Sequence, residues 1–135
     1  METTCDPKTK PKRLVLSGGA FKGYSYIGFW QYMEEQNLAS GIEEIVGTSI
    51  GCFFGMLIFL GYTSKQMINV FSKMNIDYTC DISLFNLPNT FGVCSGEKLE
   101  EMIKIFIRNK GLDENVSLDN FCKTKGVSLV CSAFN

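Results

Sequence analysis

The run Leu14-Val15-Leu16 is apolar and stops at Ser17-Gly18-Gly19, which predicts a short strand feeding a turn. Residues 1–12 are polar, carry Pro7 and Pro11, and read as a flexible lead-in. From Lys22 to about Gln36 the period changes. Tyr26, Ile27, Trp30 and Met33 recur at helical spacing, with Gly28 among them as a point of close approach to a sheet. Ile42 to Val46 predicts a second strand. Ile50 to about Leu60 is apolar on every side, the pattern of a central buried helix, and Gly61 closes it. Thr63 and Gln66 stand at capping-box spacing before a helix with Met67, Ile68, Phe71 and Met74 on one face.

Between residues 75 and 95 the pattern is lost among Asn86, Pro88, Asn89 and Gly92. A long irregular connection of this kind is either a lid or binding loop or a plain surface excursion. Ser95 is placed to cap an amphipathic helix whose apolar face is Leu99, Met102, Ile103, Phe106 and Ile107. Glu97 in its first turn and Arg108 and Lys110 in its last match the helix dipole, and Gly111 ends it. Val116 to Lys125 reads as a short helix capped by Ser117, and Val127 to Ser132 as a third strand. Strands alternating with helices predict an α/β domain with a mainly parallel central sheet. Sites in such sheets lie at the carboxyl ends of the strands. Neighbouring sequential strands would bring the turns after the first and second strands side by side.

Composition narrows the function. The chain has 135 residues, 45% apolar and 20% charged, enough for one domain with a core. A net charge of −1 gives no electrostatic case for a nucleic-acid partner. Six scattered cysteines form no Cys-x-x-Cys pair, and the N-terminus lacks the apolar core of a signal peptide. The expectation is reduced core cysteines in a cytoplasmic protein that is not secreted. Ile45 to Tyr62 is uncharged but holds four glycines, and a buried helix fits it better than a membrane span of about 20 residues. Histidine is absent altogether, which rules out a Ser-His-Asp triad, a Cys-His pair or a histidine metal site within these residues. No metal or cofactor is expected.

Two short stretches carry candidate chemistry. Gly47-Thr48-Ser49-Ile50-Gly51, between the second strand and the apolar helix, has the spacing of a nucleophile elbow, with Ser49 on a sharp strand-to-helix turn. Side chains at Gly47 or Gly51 would collide with the adjoining elements, and helix N–H groups near Ser49 favour developing negative charge. Alone, this pattern is as compatible with a small-residue turn in a packed core. The second stretch is Gly18-Gly19-Ala20-Phe21-Lys22-Gly23. It fails the Walker A pattern. It fits a dinucleotide fingerprint loosely, but the second strand ends in Gly47-Thr48-Ser49 and supplies no acid for a ribose. The remaining reading is a turn whose N–H groups form an oxyanion hole.

With both stretches in place, the chain resembles the patatin-like phospholipases from about Lys12 to Asn135. Gly18 to Gly23 is similar to that family's Gly-Gly-Gly-x-Lys/Arg-Gly turn, with Ala20 for the third glycine, and Gly47 to Gly51 matches its Gly-x-Ser-x-Gly. Leu14-Val15-Leu16-Ser17, Tyr26-Ile27-Gly28, Tyr32-Met33-Glu34-Glu35 and Val127 to Ser132 are also similar. The resemblance implies a three-layer patatin-like fold, with residues 13–135 as the N-terminal part of the domain. It also implies lipid acyl hydrolysis by a Ser-Asp dyad without histidine. Ser49 would be the nucleophile, and Gly18, Gly19, Ala20, Lys22 and Gly23 would build the oxyanion hole. Gly47, Thr48, Ile50 and Gly51 would shape the elbow. The implied substrate is a phospholipid or acylglycerol, with peripheral membrane contact.

The resemblance has two gaps. If position 20 needs a left-handed backbone, alanine there costs about 1–2 kcal/mol, and otherwise nothing. The family's later Asp-Gly-Gly/Ala is missing: Asp6, Asp77, Asp81, Asp113 and Asp119 are none of them followed by glycine. Asp113 and Asp119 read as solvated or capping residues. The chain is therefore expected to be a C-terminally truncated domain without its general base, slow or inactive alone, with an exposed sheet edge. The alternative expectation is a non-catalytic lipid- or partner-binding remnant.

Overall fold

A computed structural model describes residues 10–73 and 96–132. These fall into two compact units, 10–68 with 117–132 and 69–73 with 96–116. The elements are β1 (Arg13–Leu16), a 3-10 turn (Ala20–Tyr24), α1 (Ser25–Glu35), β2 (Glu44–Thr48) and α2 (Ile50–Phe59). They continue with α3 (Ser64–Phe71), α4 (Glu97–Arg108), α5 (Leu118–Lys125) and β3 (Ser128–Ser132). The α/β class and the parallel sheet are as expected.

The strands pair in sequence order, β1-β2-β3, all parallel. Leu14 pairs with Ile45, and Ile45 with Leu129, so one buried row crosses all three strands. The alternate row, Val15-Val46-Val130, lies on the opposite face, where Val15 is 68% exposed. The apolar α2 lies on the buried row. A Cβ at Gly55 would meet Ile45 Cγ2 at 2.9 Å, Leu16 Cδ1 at 3.6 Å and Leu129 Cδ1 at 3.7 Å, so one glycine lets the helix settle on every strand. α1 packs Ile27, Trp30 and Met33 inward, and the Trp30 Nε1–H donates to the Tyr62 carbonyl at 3.1 Å. Phe121 of α5 meets Phe59 of α2 edge-on, centroids 4.7 Å apart.

Several local signals act as their spacing predicts. The Gln66 N–H donates to Thr63 Oγ1 at 3.2 Å while the Thr63 N–H donates to Gln66 Oε1 at 3.1 Å, a complete capping box. Ser117 caps α5 by accepting from the Asn120 N–H at 3.3 Å. Gly61 takes φ +80° after α2. Asp113 accepts from the Asn115 N–H, and Asp119 pairs with Lys123, so both are the solvated or capping residues expected.

Other expectations are corrected. Gly28 is exposed with nothing within 4 Å of an added Cβ, so it makes no close approach to the sheet. Ile68 and Leu99 are exposed, which leaves Met67 as the buried anchor of α3 and Phe106 as that of α4. The N-cap of α4 is Gly96 at φ +79°, with no side-chain cap. Cys52 and Cys122 are half-buried and Cys131 is exposed, so these three are not the core cysteines expected. Asp6, Asp77, Asp81, Met74, Ser95, the loop at 75–95, and Cys5, Cys80 and Cys94 lie outside the described residues. Among the described residues, no helix is long and apolar enough to cross a membrane.

Candidate active site

Ser49 follows the last residue of β2 and precedes the first of α2. Its backbone sits at φ 52°, ψ −124°, a region that disfavours every residue with a side chain. Holding it there costs about 1–3 kcal/mol, which the surrounding packing must offset. That packing is specific. A Cβ at Gly47 would lie 2.6 Å from the backbone nitrogen and Cα of Cys52, and one at Gly51 would lie 2.2 Å from the Leu16 carbonyl oxygen. Both contacts are with backbone, which cannot swing aside, so the turn closes only with glycine at both places.

A serine at this position would ordinarily cap the helix through its hydroxyl. Ser49 does not. Its carbonyl accepts from Cys52 N–H at 2.8 Å and Phe53 N–H at 3.3 Å, while its side chain makes no capping bond. The residue is exposed. Its hydroxyl is thus presented outward at the positive end of an apolar helix, where negative charge is favoured.

The glycine-rich turn lies against this serine. A Cβ at Gly18 would meet Ser49 Cβ at 3.6 Å and the Thr48 carbonyl oxygen at 3.7 Å. Further along, a Cβ at Gly23 would lie 2.3 Å from Ile50 Cγ1, so the residue after the serine packs on the end of the glycine turn. The two motifs, over twenty residues apart in sequence, therefore share one surface at the carboxyl end of the sheet. Gly19 has φ 172°, which any residue adopts, and its carbonyl accepts from the Lys22 N–H at 3.0 Å. Ala20 has φ 47°. The position does need a left-handed backbone, and alanine carries the cost of about 1–2 kcal/mol there. The amides of Gly19 and Ala20 donate to no backbone carbonyl among the described residues. Lys22 is exposed on the 3-10 turn, and Thr48 is exposed at the end of β2, paired in register with Ser132.

One site residue escaped the sequence pattern. The Tyr26 hydroxyl donates to the Ser17 carbonyl at 2.8 Å and lies 3.1 Å from Ser17 Oγ, which ties α1 to the start of the glycine turn. Its ring packs on Phe54 of α2, centroids 5.9 Å apart. In the sequence Tyr26 registers only as one apolar position of a helix, and nothing local marks its hydroxyl. A cavity of about 460 Å³ opens elsewhere. Ile42 and Val127 line it before β2 and β3, with Trp30 and Ile58, at the opposite strand ends, and no residue of the glycine-rich turn or the serine turn contributes.

Residues 14–126 match the family model described as patatin-like phospholipase. The chain belongs to the patatin-like phospholipase family. Among relatives, it is 30% identical over 107 residues to the uncharacterized protein R571 of Acanthamoeba polyphaga mimivirus, covering 73% of this chain and 35% of that one. It is 27% identical over 108 residues to the uncharacterized protein YqhO of Bacillus subtilis (strain 168), covering 73% and 36%. It is 26% identical over 129 residues to the probable lipid hydrolase 463L of Invertebrate iridescent virus 6, covering 92% and 43%. The matched part is thus well under half the length of each relative. The patatin-like fold is shared with the crystal structure of the type III effector protein ExoU, with a TM-score of 0.51 at 17% identity over 87% of this chain and 23% of that one.

Proposed function

We propose that this patatin-like chain carries the nucleophile half of a lipid acyl hydrolase. The observation that supports this most directly is Ser49: exposed, strained, not used as a cap, and set against the Gly18 turn. The Ser49 oxygen would attack the ester carbonyl of a phospholipid or acylglycerol, giving a tetrahedral intermediate. The amides of Gly19 and Ala20 would hold its oxyanion, with Lys22 adding positive charge nearby. Loss of one such donor costs about 2.7–4 kcal/mol of transition-state stabilisation. Collapse would expel the alcohol and leave an acyl-serine, which water would then cleave.

A serine hydroxyl needs a base, and with no histidine in the sequence that base is a carboxylate in this reading. None of the five aspartates precedes a glycine. Both described aspartates are engaged elsewhere, Asp113 with the Asn115 N–H and Asp119 with Lys123. These residues on their own should therefore turn over slowly. Labelling with a fluorophosphonate probe tests the nucleophile, because the probe phosphonylates the serine itself and needs no later hydrolysis. Labelling of the wild type that disappears in Ser49→Ala supports the assignment. Equal labelling of both removes Ser49 from the mechanism. No labelling of either form is the outcome expected if the missing base leaves Ser49 unactivated. Membrane contact would be peripheral.

A second reading is a lipid-binding relative without turnover, favoured by the strained Ala20 in the turn. It expects vesicle binding that survives Ser49→Ala and no release of fatty acid. Ser49-dependent release would end it.

A further inference from the structure

The glycine that permits the serine turn also lets two other segments approach it closely on its inner side. Gly47 of β2 stands in register with Cys131 of β3. Alternation along β3 turns residue 131 to the same face as buried Leu129, the face on which α2 lies. From the helix side, the Cys52 Cα occupies the place a Gly47 side chain would need, 2.6 Å from an added Cβ. The two cysteines thus both stand next to a residue that has no side chain to separate them. Neither is in a disulfide. Burial first, then the hydrogen bond and charge of Cys52, push the Cys131 thiol up to about 12. Cys122 of α5 adds a smaller charge effect. None of these sulfurs takes part in the chemistry proposed for Ser49.

We propose that Cys52 and Cys131 form an oxidisable dithiol beneath the serine turn, whose co-substrate is a hydroperoxide and whose product is a disulfide fastening the first turn of α2 to β3. In the first step the Cys52 sulfur attacks a peroxide oxygen. The O–O bond breaks, Cys52 becomes a sulfenic acid, and its thiol proton leaves with the displaced hydroxide as water. In the second step the Cys131 sulfur attacks the sulfenic sulfur. The S–S bond forms, the S–O bond breaks, and the departing hydroxide takes the Cys131 proton as a second water. Two thiols lose two electrons and two protons, and one hydrogen peroxide is reduced to two waters. The crosslink would restrain the residue whose N–H donates to the Ser49 carbonyl.

The full-length chain is reduced, freed of reductant and titrated with hydrogen peroxide, then alkylated, digested and mapped by mass spectrometry. The expected result is a loss of two free thiols and one dominant linked peptide pair joining residues 52 and 131, reversed by dithiothreitol. The link should vanish in Cys52→Ser and in Cys131→Ser and persist in Cys122→Ser. The wild-type peptide map decides the matter even if a variant fails to fold. Oxidation of Cys52 and Cys131 separately to sulfinic acids, a dominant link to Cys122, or both thiols surviving while others react would each overturn the proposal.

Discussion

A Cβ placed on Gly51 would stand 2.2 Å from the Leu16 carbonyl oxygen. Leu16 ends β1 and Gly51 lies in the first turn of α2, so the helix that presents Ser49 rests on the backbone leading into the glycine-rich turn. This contact fixes the spacing of the two motifs. Gly51→Ala should destabilise the fold by about 1–3 kcal/mol or more, because carbonyl and helix must separate. Gly28→Ala, in α1 with open space around it, should instead stabilise by roughly 0.5–1 kcal/mol. Urea midpoints at unchanged slope would check both signs, and a neutral Gly51→Ala would contradict the close contact.

Ala20 and Ser49 both hold positive φ, at 47° and 52°. Glycine relieves that strain but costs more entropy on folding. Ala20→Gly and Ser49→Gly should each give a net gain of about 0.5–1 kcal/mol, read as a rise in thermal midpoint. For Ser49→Gly the gain should come with loss of fluorophosphonate labelling, as expected where strain is kept for function. A fall in stability at either position would show that the backbone is not held as described.

Glu34 reaches from α1 to the start of α3, where Oε2 accepts from the Ser64 N–H at 3.0 Å and the Ser64 hydroxyl at 2.5 Å. Ser64 is 2% exposed. Glu34→Ala would leave both donors without this acceptor and should cost about 1–3 kcal/mol. The double variant with Ser64→Ala should cost less than the sum of the single changes, because the stranded hydroxyl is gone. Additive losses in a double-mutant cycle would exclude the bond.

The Cys131 thiol, raised from 9.0 to about 12, sets the sign of one pH effect. Below pH 9 both folded and unfolded chains keep this proton, and its contribution is fully present. As pH rises from 9 towards 12 the unfolded thiol ionises first, so stability is lost across that window. Denaturation of reduced protein below pH 9 and near pH 11, compared with Cys131→Ser, isolates the effect from lysine and tyrosine titration. The wild type should lose more stability than the variant. Equal losses would mean that the surroundings of Cys131, Cys52 among them, do not hold its proton.

Much of this protein is local, and local relations are legible in a sequence. The capping box of Thr63 and Gln66, the cap of Ser117 on Asn120 and the Gly61 terminus each join residues a few positions apart, so their spacing suffices. The uniform apolarity of Ile50 to Leu60 predicted a buried helix because a helix exposed on any side would show it. The two motifs were visible for the same reason: each is a short backbone shape written in glycines.

What tertiary structure decided are relations between segments brought together across the sheet. Identical glycines at 28 and 51 differ only in what stands opposite them, open space in one case and the Leu16 carbonyl in the other. The letters at position 20 could not state the sign of φ, which depends on where the turn must deliver the chain to meet Ile50. Serines 49 and 117 both precede helices, yet only Ser117 caps, because the packing at Gly47 and Gly51 forces Ser49 into a backbone that turns its hydroxyl away. The meeting of Cys52 with Cys131 follows from strand register, and register is set by which apolar rows can be buried together.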